Sequence, residues 1–399
     1  MSFSTTPARD FSLRLSLFFA ALFVLYGVQL PFFPVWLDWR GLSPAEIGVV
    51  TAAPLFLRIV IGPVAAFLAD RSGDRRQAII IAAGCGLLAV LALSQSYGFL
   101  FIALFTAAFV VGSQTCLPIG EAVALSGVRG LGVDYGRMRL WGSLAFIAAT
   151  FAGGTLVGTV GASSIIWMLV ICSGGLLVSA WLLPAGDANE GRPITPGRRL
   201  LTPREVARVA GSGKFLLFVA AAGLVQASHA VFYAFGVLHW QAQGLSSTTI
   251  GVLWSLGVVA EILLFYSAGR FMTHIGPMGF IMAGAATAVV RWGLMAFDPP
   301  LALLFPLQVL HGLTFGATHI GAMHHIHAIV PQEQAGTAQA LFAAATGGIG
   351  MGAATLLAGM LYGPFGGLSY LAMMVMGVIG LVAAVCTVRF YPTHKTDRP

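Results

Sequence analysis

The chain has 399 residues, of which 58% are hydrophobic and 9% charged, against about 25% charged in an average soluble domain. That balance excludes a soluble globular protein and implies a chain whose solvent is largely lipid. The net charge of +7 follows membrane topology and is no mark of a nucleic-acid surface, because Lys and Arg gather in the loops of one side.

In chain order, apolar runs punctuated by Gly, Pro and charge predict spans at 13–37, 44–69, 77–95, 98–126, 137–160, 163–183, 214–240, 246–273, 278–297, 300–328, 334–361 and 366–390. Each is long enough to cross a ~30 Å hydrocarbon core as a helix. None shows the polar/apolar alternation of an outer-membrane strand, so the class is an all-α membrane protein of twelve transmembrane helices. The first run, Leu13 to Leu37, is too long for a signal peptide and lacks its small-residue cleavage pattern; it is expected to stay as the first span. A polar interval rich in Pro, Gly and Arg then divides the chain into an N-terminal six-helix bundle at 1–183, a cytoplasmic linker at 184–213 and a C-terminal six-helix bundle at 214–399.

Arg9, Arg71, Arg75, Arg76, Arg129, Arg192, Arg198, Arg199, Arg204, Arg208, Arg270, Arg389, Lys395 and Arg398 fall at the termini, in the linker or in loops of the same side, with Arg40 almost alone opposite. Both termini are therefore expected to be cytoplasmic. Cys85, Cys116, Cys172 and Cys386 lie inside apolar runs without CxxC spacing, which suggests neither a disulfide framework nor a metal knuckle. Lys214 closes a "GSGK", but Arg208 and Phe215 occupy the places where a phosphate-binding loop needs Gly and Ser or Thr. No nucleotide motor, cofactor site or nucleophile–base motif of an enzyme is indicated. Fifty glycines let helix backbones approach closely where lipid provides no hydrophobic drive; "GGTLVG" (Gly153–Gly158) and "GGIGMG" (Gly347–Gly352) mark expected seams.

Ionisable residues inside spans cost about 2.5–3.5 kcal/mol each on insertion scales and by default mark an internal site. They are Arg58, Glu121, Arg139, Glu261 and Arg291, with His229, His311 and His319. Helical spacing groups Gln114, Pro118 and Glu121 on one face, Arg139, Ser143, Phe146 and Thr150 on another, and Gln226, His229 and Tyr233 on a third. Trp254, Val258 and Glu261 form a further stripe, as do His311, Thr314 and Thr318. Arg137 and Arg139 stand about 200° apart on a helix, so one is expected to face the cytoplasm or lipid head groups and the other to look inward and pair with Glu121.

The stretch "LPFFPVWLDWRGLSPAEIGVVTAAPLFLRIVIGPVAAFLADRSGDRR" resembles the first two spans of lactose-permease-type members of the major facilitator superfamily. It ends in that superfamily's loop signature, here Gly62, Asp70, Arg71, Gly73, Arg75 and Arg76. "YGRMRLWGS" resembles the fifth-span motif of the same branch, while "SHAVFYAF", "GVVAEILLF" and "VLHGLTFGATH" resemble its phenylpropionate permease members. The resemblance covers essentially the whole chain. It implies two six-helix bundles of inverted three-helix repeats, with substrate held at mid-membrane and exposed alternately to each side. It also matches Glu121 and Arg139 to the sugar permease's binding carboxylate and arginine, and Arg291 and His311 to its ninth-span Arg and tenth-span His. The chain departs where that permease keeps a proton-carrying glutamate, a lysine and a stacking tryptophan: here stand Thr314, Gln308 and Phe146.

With three span arginines against Glu121 and Glu261, a monocarboxylate would complete the charge set, and Arg offers it bidentate geometry. The expected function is a proton-coupled symporter of a small aromatic monocarboxylate such as 3-phenylpropionate, or alternatively of a sugar or nucleoside. Substrate would meet Tyr26, Arg58, Glu121, Arg139, Phe146, Tyr233, Arg291 and His311, with Trp141, Phe232, Trp254 and Phe315 as further apolar wall. Glu261, His311 and His229 are the candidates for proton coupling, unless Glu261 merely neutralises Arg291. His319, His324, His325 and His327 crowd one helix end, but their offsets put no three on one face, so no metal site is expected. The chain is read as a monomer in a bacterial inner membrane, with small-molecule substrate, protons and lipid as its partners.

Overall fold

A computed structural model of the chain describes residues 7–184 and 203–391. Arg192, Arg198, Arg199, Lys395 and Arg398, used above for orientation, lie outside them. The described residues form helices joined by short loops, and ten continuous helical runs are long and apolar enough to cross a membrane. Two of these, 49 and 57 residues long, far exceed the roughly 20 residues one crossing needs. The first, Ser247–Met295, is broken at Gly276 (φ 68°, ψ 172°) just before Pro277. The second turns at Gly366 (φ 52°, ψ −128°). Both glycines occupy backbone that an L side chain rarely adopts, and counting one crossing on either side of each turns the ten runs into about twelve crossings.

In chain order the helices are α1 (Pro7–Trp39), α2 (Pro44–Ser72), α3 (Arg75–Ser94), α4 (Phe99–Leu131), α5 (Tyr135–Val160) and α6 (Ser164–Leu182). A short helix inside the predicted linker, α7 (Pro203–Ala210), leads into α8 (Gly213–Ala227) and α9 (Ala230–Ala242). The rest are α10 (Ser247–Met295), α11 (Leu301–Val309), α12 (Thr318–Ile329), α13 (Gln332–Ala343), α14 (Met351–Phe365) and α15 (Tyr370–Phe390). Local sequence chemistry sets their starts. Ser43 and Glu46 form a reciprocal capping box with Pro44 in the first turn of α2, Asp74 caps α3 and Asp134 caps α5 by accepting from the Arg137 amide. The lone arginine of its side, Arg40, donates to the Ser96 carbonyl and lies 4.2 Å from the Tyr97 ring centroid and 5.3 Å from that of Trp36. An aromatic nest of that kind suits a membrane–water boundary.

The sequence predicts an uninterrupted seventh, tenth and eleventh span, and the structure differs at all three. The seventh is stepped at Ser228–His229 between α8 and α9; the tenth carries a π-helical turn at Gly312–Ala317 and the eleventh another at Ala344–Gly350. The expected seam at Gly347–Gly352 therefore lies largely within that π turn. π turns widen a helix by one residue and recur at functional sites, and the tenth-span turn and the seventh-span step meet at the polar cluster described below.

Two compact units are present. In the first, α1 packs on α5 and α6, α3 on α4 and α6, and α2 on α4. The hairpin Trp240–Ser255 also packs with this unit. Ser255 Oγ donates to the Ile147 carbonyl (3.3 Å), and Gly154 meets the Ser247 carbonyl so closely that a Cβ there would clash. The first predicted glycine seam thus seats this hairpin on α5. In the second unit α8 packs on α15, α12 and α14, over a core that includes Phe215, Phe218, Ile326, Phe342 and Ala384.

Candidate functional site

Each unit contains its own polar cluster. In the first, Arg58 of α2 donates to Gln114 Oε1 of α4 (3.0 Å), and the Tyr26 hydroxyl of α1 donates to the Ser113 carbonyl (3.2 Å). Two turns beyond Gln114 on α4, Glu121 accepts from the Tyr135 hydroxyl at 3.3 Å. The predicted Glu121–Arg139 ion pair is not formed among the described residues. Tyr135 lies one turn before Arg139 on the same face and takes up Glu121, while the Arg139 guanidinium rests 3.9 Å from the Phe23 ring centroid and 5.9 Å from that of Phe19.

Arg137 is exposed, and Trp141, four residues on, is exposed with it. Trp141 therefore stands apart from the Arg139 face, contrary to its expected place in an apolar wall. Phe146 is buried, its carbonyl accepting from Thr150 Oγ1 (2.8 Å) while the same hydroxyl reaches the Gly27 carbonyl of α1 (3.1 Å). In the loop signature, Arg75 pairs with Asp70 (Nη2–Oδ1 2.8 Å) across left-handed Gly73, and Arg76 donates to the Trp181 carbonyl at the end of α6 (2.6 Å). Gly62 faces the Arg58 stem and Arg71 is exposed.

The second unit holds the more deeply buried cluster. Arg291 of α10 is fully buried. Its Nη1 donates to His311 Nδ1 (3.2 Å) and Thr314 Oγ1 (3.0 Å), and its Nη2 to Gln308 Oε1 (3.0 Å). The Trp292 and Phe232 rings cover it at 4.4 and 5.1 Å. Its Nε has no hydrogen-bond partner, and the guanidinium forms no ion pair among the described residues. A dry cation without a counter-ion is costly unless its hydrogen bonds and ring contacts hold it, and here a donor is left over.

The partners assign the histidine tautomers. His229 Nδ1 lies 3.2 and 3.1 Å from the Val225 and Gln226 carbonyls, so it carries the hydrogen; its Nε2 then accepts from Thr314 Oγ1 at 3.1 Å. Because His311 Nδ1 accepts from Arg291, its hydrogen sits on Nε2, which points to Glu261 Oε2 at 3.9 Å. Glu261 thus neighbours His311, and Arg291 has no carboxylate in an ion pair with it among the described residues. Tyr233 and Phe315 flank the cluster, stacking respectively on His229 (5.5 Å) and His311 (5.5 Å), and both are partly exposed. Trp254 is buried.

The tenth-span histidines disperse: His319 stacks on Phe315 (6.1 Å), His324 is exposed, His325 packs against Phe218 (4.9 Å) and His327 meets Gln339 (3.1 Å). Sequence reasoning missed a separate contact in which His239 Nε2 lies 2.7 Å from Asp298 Oδ1 and Nδ1 lies 3.2 Å from the Tyr362 hydroxyl. His239 sits at a span end and Asp298 in a loop, positions where charge is unremarkable in sequence alone. The positive φ of Asp298 (51°), uncommon outside Gly, became visible only in the backbone.

Comparison with known proteins places this geometry. Residues 12–372 match the model of the MFS_1 like family. The chain is 31% identical over 379 residues, 92% of its length and 94% of the relative's, to an Escherichia coli (strain K12) protein named "Probable 3-phenylpropionic acid transporter". It is 27% identical to the maltose permease of Geobacillus stearothermophilus, covering 93% of this chain and 91% of that one. Among solved structures the nucleoside transporter NupG superposes with a TM-score of 0.83 at 17% identity, over 96% of this chain and 100% of that one; at that identity the likeness concerns the fold. The chain is an integral membrane protein of the MFS_1 like family, a member of the major facilitator superfamily of secondary transporters of small molecules, which are not enzymes.

Proposed function

We propose that this transporter is a proton-coupled symporter of a small aromatic monocarboxylate such as 3-phenylpropionate, working by alternating access as a monomer. The observation that carries the reading is Arg291: a fully buried guanidinium with an unpartnered Nε and no ion pair among the described residues. A substrate carboxylate supplies both the missing charge and the missing acceptor. Phe232, Tyr233 and Phe315 around the cluster suit an aromatic body. Similarity to the Escherichia coli protein named for 3-phenylpropionic acid points the same way. Tyr26, Arg58, Glu121, Arg139 and Phe146 are read as the first unit's share of substrate recognition.

Glu261 is read as the proton carrier, with His311 as its neighbour. His229 is set aside, because its two ring nitrogens are committed to backbone carbonyls and to the hydroxyl that Arg291 holds. The Arg75–Asp70 and Arg76–Trp181 contacts are read as holding one of two states. Bundles at 1–183 and 214–399 joined by a linker at 184–213, in a bacterial inner membrane with both termini cytoplasmic, complete the proposal.

Uptake of radiolabelled 3-phenylpropionate into proteoliposomes under an inward proton gradient tests it. Accumulation abolished by a protonophore and competed by unlabelled aromatic acids, with lactose and uridine inert, is the expected result. Robust transport of a sugar or nucleoside with no phenylpropionate uptake would favour the reading suggested by the maltose permease relative and end this one.

A further inference from the structure

A groove of about 500 Å³ runs between the amino-terminal turns of α1 and α5, on the side of α5 turned away from the Arg139 cluster. Its mouth carries Arg9 and Arg137, both exposed and neither in an ion pair among the described residues. Asp134 also lines it, but that carboxylate is engaged in capping α5 through the Arg137 amide (3.1 Å). Deeper along α1 come the hydroxyls of Ser12 and Ser16, and beside them the side chains of Leu13, Leu17 and Trp141, exposed by 57, 47 and 57%. Polarity is thus graded along the groove, from two cations at the mouth through hydroxyls to bare hydrocarbon.

The solvent of an exposed apolar span flank is lipid, and the end of a span is where head groups lie. Two guanidinium groups that form no ion pair among the described residues, beside the N-terminus of α5, favour phosphate there. We infer that the α1–α5 groove is a binding site for one anionic glycerophospholipid, its phosphate held by Arg9 and Arg137 and an acyl chain lying on Leu13, Leu17 and Trp141. The site lies on the opposite face of α5 from Arg139 and is independent of which substrate is transported. It also gives Arg137 a role that its neighbour Arg139 cannot share, since two helical positions point them to opposite faces.

Native mass spectrometry and thermal unfolding of the full chain in detergent, titrated with phosphatidylglycerol, phosphatidylcholine or soluble sn-glycerol 3-phosphate, test the inference. Phosphatidylglycerol is expected to be retained as a single adduct and to raise the unfolding temperature, with the other two inert. Arg9→Gln and Arg137→Gln should each weaken half-saturation by about fivefold, from roughly 1 kcal/mol per interfacial cation, while leaving the unfolding temperature without lipid unchanged. Leu17→Glu, which leaves both arginines, should weaken it too. Equal effects of phosphatidylglycerol on wild type and variants, equal retention of phosphatidylcholine, or saturation by the soluble phosphate would each overturn it.

Discussion

Arg291→Gln is expected to cut 3-phenylpropionate uptake by about 100-fold or more while moving the unfolding temperature in detergent by only a few degrees. The loss in uptake follows from removing a buried charge's partner, worth about 3–5 kcal/mol: in the mutant the substrate carboxylate would enter a dry site with no cation. Stability is spared because two terms oppose. Losing the guanidinium leaves Gln308 Oε1 and Thr314 Oγ1 without their donor, at about 1–3 kcal/mol per buried group, but it also removes the burial of an uncompensated charge. Arg291→Lys keeps the charge and loses the fork that reaches His311, Thr314 and Gln308 together, so an intermediate uptake is expected. Initial rates of labelled uptake, with unfolding measured on the same preparations, check both halves. Wild-type uptake in Arg291→Gln would remove this residue from substrate recognition.

Glu261→Gln is expected to abolish accumulation while sparing exchange. If one proton accompanies each substrate, an imposed gradient of one pH unit, equivalent to about 1.36 kcal/mol, sustains an accumulation ratio of about ten. Gln has nearly the size of Glu and carries no titratable proton, so the ratio should fall to one. Counterflow of labelled against unlabelled substrate needs no net proton movement and should continue at close to the wild-type rate. His311 stays hydrogen-bonded to Arg291 through Nδ1 (3.2 Å) in this variant, which keeps the anion site assembled. Undiminished driven uptake in Glu261→Gln would place the carrier elsewhere, and loss of exchange as well would make Glu261 a structural part of the site.

Hydropathy made the membrane class and the crossings legible, because every span must satisfy its backbone internally and is long and apolar for that reason. The break at Gly276 was also legible, from Gly followed by Pro between two apolar runs. Intramembrane charge singled out Arg291, His311 and Glu261, since such groups are too costly to occur without a use. Partner choice was less legible. Helical periodicity put Arg139 and Glu121 within reach of each other, but Tyr135 competes for Glu121 and Phe23 for Arg139, and competition among neighbours has no period. The π turn at Gly312–Ala317 shifts the register by which stripes are counted on a regular helix. Trp141 counts as a possible wall residue by its aromatic type alone, but its i+4 relation ties it to exposed Arg137. The Trp240–Ser255 hairpin packs with the first unit through close glycine contacts that a hydropathy pattern does not encode.

If buried Arg291, which forms no ion pair among the described residues, selects a carboxylate, charged and neutral forms of one molecule should compete very differently. Labelled 3-phenylpropionate uptake would be competed with unlabelled 3-phenylpropionate and with 3-phenylpropionamide, which matches it in shape and lacks the charge. A site built around a dry guanidinium should reject the amide by about 100-fold or more. An amide that competes as well as the acid would mean that Arg291 does not select a carboxylate.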